Sequence, residues 1–142
     1  MLPACGIEYS RVVGNTDDFA FPENFLEWTS TCHHSHNLME NARRFADLHK
    51  TQYLYMMYVW GHSYEFDRDQ IWDKIEEFCE FIGGREDIWY ATNIEIVDYM
   101  KAAKNLKYTA KGDKVYNPNF CSVWIKVNEK IYEIKGGETV EI

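Results

Sequence analysis

Histidines are the residues of this chain whose type and spacing could do chemistry. His33, His34 and His36 fall within four positions, just ahead of an apolar-periodic stretch. Imidazoles grouped this closely suit a metal, but polar side chains just before a helix also serve as caps. On extended backbone the adjacent His33 and His34 point to opposite sides. The capping reading is therefore preferred, and no metal ligand is assigned. His62 follows Gly61 inside the run 53–66, YLYMMYVWGHSYEF. The run opens apolar on both faces, is rich in Tyr, Val and Trp, and stops at glycine, which predicts a buried strand in preference to a helix. His62 then stands at the carboxyl edge of a sheet, where α/β folds bind ligands. The competing reading is a hydrogen-bonded structural histidine.

Other groups carry less. Ile71, Ile75, Phe78, Cys79 and Ile82 recur at helical spacing, which leaves Asp73, Glu76, Glu77 and Glu80 on a solvated face. Cys5, Cys32, Cys79 and Cys121 contain no CxxC pair, so a cysteine zinc site is not expected. Reduced, buried thiols of a reducing compartment account for them. The net charge of −8 opposes nucleic acid or an anionic membrane as partner. No segment approaches the ~20 apolar residues of a membrane span, and no signal-peptide pattern opens the chain, so the expected location is cytoplasmic.

The 142 residues suffice for one domain with a real core. Leu2 to Gly6 reads as a helix end with its glycine cap, and 7–13 as a strand. A loop follows over 14–24, then a short strand ending near Cys32. Ser35 or Asn37 caps a helix bearing Leu38, Ala42, Phe45, Ala46 and His49 on one face. After the central run, Asp67 or Asp69 caps a second helix, which Gly83-Gly84 ends. Residues 87–91 read as a strand, and Thr92 or Asn93 caps a third helix, Ile94 to about Lys104. This alternation predicts an α/β fold. From 106 onward, short strands separated by turns predict an antiparallel appendage of about three to five strands, so the expected division is 1–105 and 106–142.

The blocks FLEWTSTCHH, YVWGHSYEF and EEFCEFIGGREDIWYATNIEIVDYM, followed by the β-rich tail, resemble the C-terminal half of polysaccharide deacetylases of the nodulation-protein type, carbohydrate esterase family four. The resemblance implies the C-terminal part of a distorted (β/α)7 barrel and metal-dependent removal of N-acetyl groups from carbohydrate. It implies that His62 is the acid that protonates the leaving amine, and that Trp28 walls the acetyl pocket. The family's divalent metal, often zinc, is held by an Asp-Asp motif and a His-xxx-His motif, and neither is found here. Asp17-Asp18 follows the wrong strand, so no metal is expected on this chain. The family's Arg-Pro motif is also missing, and Trp28 lacks the Asp-containing motif that normally precedes it.

The expectation is therefore a fragment of a deacetylase, inactive alone, whose open barrel face a homo-oligomer would cover. Re-exposing several hundred Å² of apolar surface at ~25 cal/mol per Å² costs on the order of 10 kcal/mol, comparable to a domain's whole stability. The alternatives are a non-catalytic glycan-binding or interaction module, and a metal-dependent hydrolase completed by another chain.

Overall fold

The computed structural model describes residues 2–48 and 53–142, and its contacts divide the chain into two compact units that meet in sequence at Trp89 and Tyr90. The first unit opens with a 3₁₀ turn at Leu2–Cys5, closed by Gly6 at φ +75°. Strand β1 (Arg11–Asn15) pairs in parallel with β2 (Trp28–Ser30), Arg11 opposite Trp28. Strand β3 (Cys32–His33) pairs in parallel with β4 (Val59–Trp60), Cys32 opposite Val59. β2 and β3 are one run of chain that pauses at Thr31. The Thr31 N–H donates to the Tyr58 carbonyl at 2.8 Å, and its hydroxyl accepts the Tyr58 N–H at 3.0 Å. Helix α1 (Leu38–Ala46) connects β3 to β4, as a parallel pair requires.

Trp28 is the largest buried side chain of this unit, packed between the rings of Phe25 at 5.0 Å and Tyr58 at 4.9 Å. Leu38 and Ala42 of α1 and Met56 ahead of β4 are buried too. Asn37 does precede α1, but at φ +49° and without a side-chain bond to the helix. His49, expected on the apolar face of α1, lies outside the described residues.

The central run departs from the buried strand expected over 53–66. Only Val59–Trp60 enters a ladder, Tyr53 and Leu54 are exposed, and Met56 alone of the run is fully buried. Among the described residues β4 has a strand neighbour on one side only, so it is half covered. Its far end turns into helix α2 (Ser63–Arg68), an element absent from the sequence reading. Asp69 closes α2 in place of opening the next helix, α3 (Trp72–Ile82). The half-buried stripe is Ile71, just ahead of α3, with Ile75, Phe78 and Ile82 on the helix. Cys79, about 100° round the helix from Phe78, is exposed. Of the thiols expected to be buried, Cys32 is, whereas Cys5, Cys79 and Cys121 are exposed, and all four are free. Residues 87–91, expected as a strand, form no ladder, and Trp89 and Tyr90 are exposed.

The second unit begins with helix α4 (Asn93–Lys104), capped by Thr92. Glu95 returns the bond: its Oε2 accepts both the N–H and the hydroxyl of Thr92 at 2.7 Å. Then come β5 (Lys107–Tyr108), β6 (Lys114–Tyr116), β7 (Val123–Val127), β8 (Lys130–Ile134) and β9 (Thr139–Glu141). All pairings are antiparallel, in the order β5-β6-β9 and as the hairpin β7-β8. Asn128 and Glu129 both take positive φ, 49° and 64°, the tight hairpin turn that matches strand twist. Ala102 and Leu106 share a core with Val115, Val123 and Ile134. That shared core is why α4 groups with the strands, and why the division falls at Trp89 instead of after 105. The expected α/β part is thus represented by small parallel pairs, and closure into a (β/α)7 barrel remains a proposal. No helix among the described residues is long and apolar enough to cross a membrane.

Asn117 is fully buried at the centre of the second unit. Its amide donates to the Cys121 and Ile134 carbonyls, both at 2.8 Å, and its oxygen accepts the Asn119 N–H at 3.0 Å. Asn119 in turn donates to the Ala102 carbonyl at 2.9 Å, in the last turn of α4. Asn117→Ala leaves the buried Ile134 carbonyl without its partner and removes the bonds to Cys121 and Asn119, so it is expected to cost about 2–3 kcal/mol. Urea unfolding followed by circular dichroism measures this, and a loss under about 0.5 kcal/mol would contradict the network's importance.

Candidate functional site

Two turns of the first unit meet, one after β3 and one after β4. The strand β3 ends at His33, and the His36 N–H closes a turn onto the His33 carbonyl at 2.8 Å. Strand alternation stops there, so the ring of His34 swings to the same side as that of His33. Their centroids lie 4.1 Å apart at 36°. This corrects the expectation that neighbouring imidazoles would diverge.

Both rings reach one oxygen. Glu65 Oε2 lies 2.8 Å from His34 Nε2 and 3.1 Å from His33 Nε2. Glu65 is the third residue of α2, and the same oxygen accepts the backbone N–H of His62 at 3.3 Å. Its other oxygen faces Arg68 at 3.6 Å, while Arg68 forks onto Asp69 at 2.6 and 2.7 Å. The His34 side chain is 3% exposed. It lies flat against Gly61, where any Cβ would collide with the imidazole, and the Phe66 ring sits 4.7 Å from it. Glycine is required at position 61 because of this close approach. Among the described residues His34 Nδ1 has no hydrogen-bond partner. The Nδ1 of His33 lies 2.7 Å from the Ser35 hydroxyl, and Trp60 stands edge-on to the His33 ring at 4.5 Å.

Electrostatics follow from these contacts. The hydrogen bond from His34 holds the Glu65 carboxyl below its ordinary value, and the His62 N–H adds to that. Burial lowers the His33 imidazole, and its neighbour His34 lowers it further, against the pull of Glu65. Burial pushes the Cys32 thiol up, which marks it as an inert core group.

The third member of the histidine cluster belongs elsewhere. His36 Nε2 is 3.0 Å from Asp17 Oδ2, and Asn41 donates to Asp17 Oδ1 at 2.8 Å. These two bonds, Asn41 first, hold the Asp17 carboxyl below its ordinary value. Asp18 Oδ1 accepts the Phe19 N–H at 2.7 Å.

His62 is exposed and precedes the first residue of α2, two residues past the end of β4. Its ring stacks on Tyr64 at 5.3 Å and 22°, and lies 6.0 Å from Trp60. Trp28 is 1% exposed. An open cavity of about 350 Å³ lies beside the loop before β2, lined by Asp18, Phe21, Glu23, Glu27, Thr29 and Met56 among others, and Trp28 is not among its lining residues. Sequence reasoning missed Glu65 altogether. Its spacing of three from His62 is that of a capping box, but histidine is not among the usual cap residues.

Compared with protein-family models, with curated proteins and with solved structures, the chain finds no match in any of the three.

Asp17 and Glu65 ionise below the ordinary 3.8 and 4.5 when folded. Each therefore contributes stability that is present above those ordinary values and lost as pH falls through the lower folded ones. Denaturant midpoints measured from about pH 6 to about pH 2 are expected to fall most steeply below about pH 4.5, and less steeply in Asp17→Asn and in Glu65→Gln. Parallel curves for the parent and both variants would contradict this.

Proposed function

We propose that this chain supplies the proton-donating side of a carbohydrate N-deacetylase, with His62 as the acid. The observation that carries the reading is the position of His62. It is exposed in the turn where a parallel strand passes into a helix, and it is flanked by the rings of Trp60 and Tyr64. This is the edge at which α/β folds gather ligands, and the resemblance of the surrounding blocks to the deacetylases supports the assignment.

Hydrolysis of an acetamide needs water to add to the acetyl carbon and the C–N bond then to break. The amine is a poor leaving group unless its nitrogen receives a proton as that bond breaks. A protonated His62 ring donates it, the attacking water gives up its own protons to a base that these residues do not supply, and the acetyl group leaves as acetate. Tyr64, exposed beside His62, offers an aromatic face to the sugar ring. The donor set the family uses for its metal does not fit these residues. Both oxygens of Asp17 are engaged by Asn41 and His36, and Asp18 bonds the backbone of Phe19. No step is therefore routed through that metal, and the residues here are expected to release no acetate unaided.

The test is nuclear magnetic resonance with a β-1,4-linked N-acetylglucosamine trimer and, as control, the glucose trimer of the same linkage. The His62 and Tyr64 ring signals are expected to move with the acetylated trimer alone. No shift at ~10 mM sugar would overturn the reading, and so would equal shifts with both trimers. A non-catalytic glycan-binding module is the second reading, favoured by the exposed rings of Tyr108, Tyr116, Phe120 and Trp124 in the second unit. Shifts confined to those rings would support it.

The partner that the first reading implies is a second copy of the chain. In the first unit Val13, Tyr53 and Leu54 are exposed, and β1 has one strand neighbour among the described residues. Sedimentation velocity is expected to show a concentration-dependent species heavier than 16.9 kDa. A monomer at every concentration would remove the second copy from the proposal. A reducing, cytoplasmic setting is part of the same proposal, resting on the four free thiols.

A further inference from the structure

We propose that His33, His34 and Glu65 form a binding site for a divalent transition-metal ion, of which zinc is the best match. Two imidazole nitrogens and one carboxylate oxygen converge, all three donor atoms lying within 4.8 Å of one another. They come from turns 31 residues apart, and the two histidine-to-glutamate distances are 2.8 and 3.1 Å. Ligands about 2.0–2.2 Å from a tetrahedral zinc stand about 3.3 Å from each other. The donors thus need to open by only a few tenths of an ångström between each histidine and the glutamate. Two histidines with one glutamate is a donor set of catalytic zinc sites, which leave a further position for water or substrate.

Two features point the same way. The ring of His34 is fixed by Gly61 and Phe66, so its Nε2 is aimed before any ion arrives. Aromatic rings pack on the cluster from two sides, Trp60 against His33 and Phe66 against His34. The Nδ1 of His33 accepts the Ser35 N–H at 3.2 Å and lies 2.7 Å from the Ser35 hydroxyl. Metal binding through Nε2 therefore requires the ring to change tautomer and donate to that hydroxyl as an outer-shell partner, which the Nδ1 of His34 lacks among the described residues.

The bland account is a hydrogen-bonded knot in which Glu65 merely starts α2 and anchors two rings. It differs measurably, because such a knot has no reason to take up metal at one site. The chain is stripped with chelator, dialysed and titrated with Zn²⁺ by calorimetry, and separately with Co²⁺ followed by visible absorption. One Zn²⁺ per chain is expected, with a Kd of ~10 μM or tighter, and Co²⁺ is expected to give the absorption of a four- or five-coordinate ion. His33→Ala and Glu65→Gln are expected to weaken binding ~100-fold and Ser35→Ala ~10-fold, with His36→Ala unchanged.

A direct reading on the unmodified chain guards against variants that misfold. Zn²⁺ is expected to move the Nε2 signals of His33 and His34 and to leave those of His36 in place. Absence of binding at ~1 mM Zn²⁺ would overturn the site. So would an affinity unchanged in His33→Ala, or signals that move on His36 alone. These outcomes are independent of the deacetylase reading, since they require neither sugar nor turnover.

Discussion

A single carboxylate oxygen holds the carboxyl edge of the first unit together. Glu65 Oε2 takes the Nε2 of His34, the Nε2 of His33 and the backbone N–H of His62. Each contact joins a different piece of chain: the last residue of β3, the turn that follows it, and the residue preceding α2. A neutral acceptor could not serve three donors as well, because charge-assisted bonds are roughly twice as strong as neutral ones. The hub also depends on an absence, the missing side chain at Gly61, which lets His34 lie against the backbone. Acid, helix start and glycine form one device.

What the sequence made legible was mostly local. Thr92 or Asn93 was expected to cap α4, and Thr92 does, bonded through its N–H and hydroxyl to Glu95. Gly83-Gly84 marked the end of α3, and the turn residues after 106 marked the strands of the second unit. The failures share one cause, contacts set by distant chain. His33 and His34 were expected to diverge because alternation holds only while a strand continues, and the strand stops at His33. The run 53–66 looked buried on both faces from its composition, yet composition does not say how many neighbours a strand will have. Helix α2 escaped notice because six residues leave no periodicity to read, and its start depends on a histidine that the cap rules do not name.

The two units solve the same problem with different chemistry. The second uses a neutral asparagine pair, in which Asn117 satisfies two carbonyls and Asn119 reaches the end of α4. Such a network is indifferent to acid. The first relies on ionised carboxylates, Asp17 with Asn41 and His36, and Glu65 with His33 and His34. Its polar interior is therefore responsive to protons and to cations, which suits the unit that carries the candidate chemistry.

Trp28 has a spectroscopic consequence. It is 1% exposed, packed against Phe25 and Tyr58, and its indole N–H has no hydrogen-bond partner among the described residues. An excited indole in such a setting has no mobile dipoles to relax against, so its fluorescence stays at short wavelength. Trp72, Trp89 and Trp124 are half or more exposed and emit to the red of it. The folded chain thus contains its own two-colour label. The blue part reports the interior of the first unit alone, and it disappears when that interior admits water, whatever the strands of the second unit are doing.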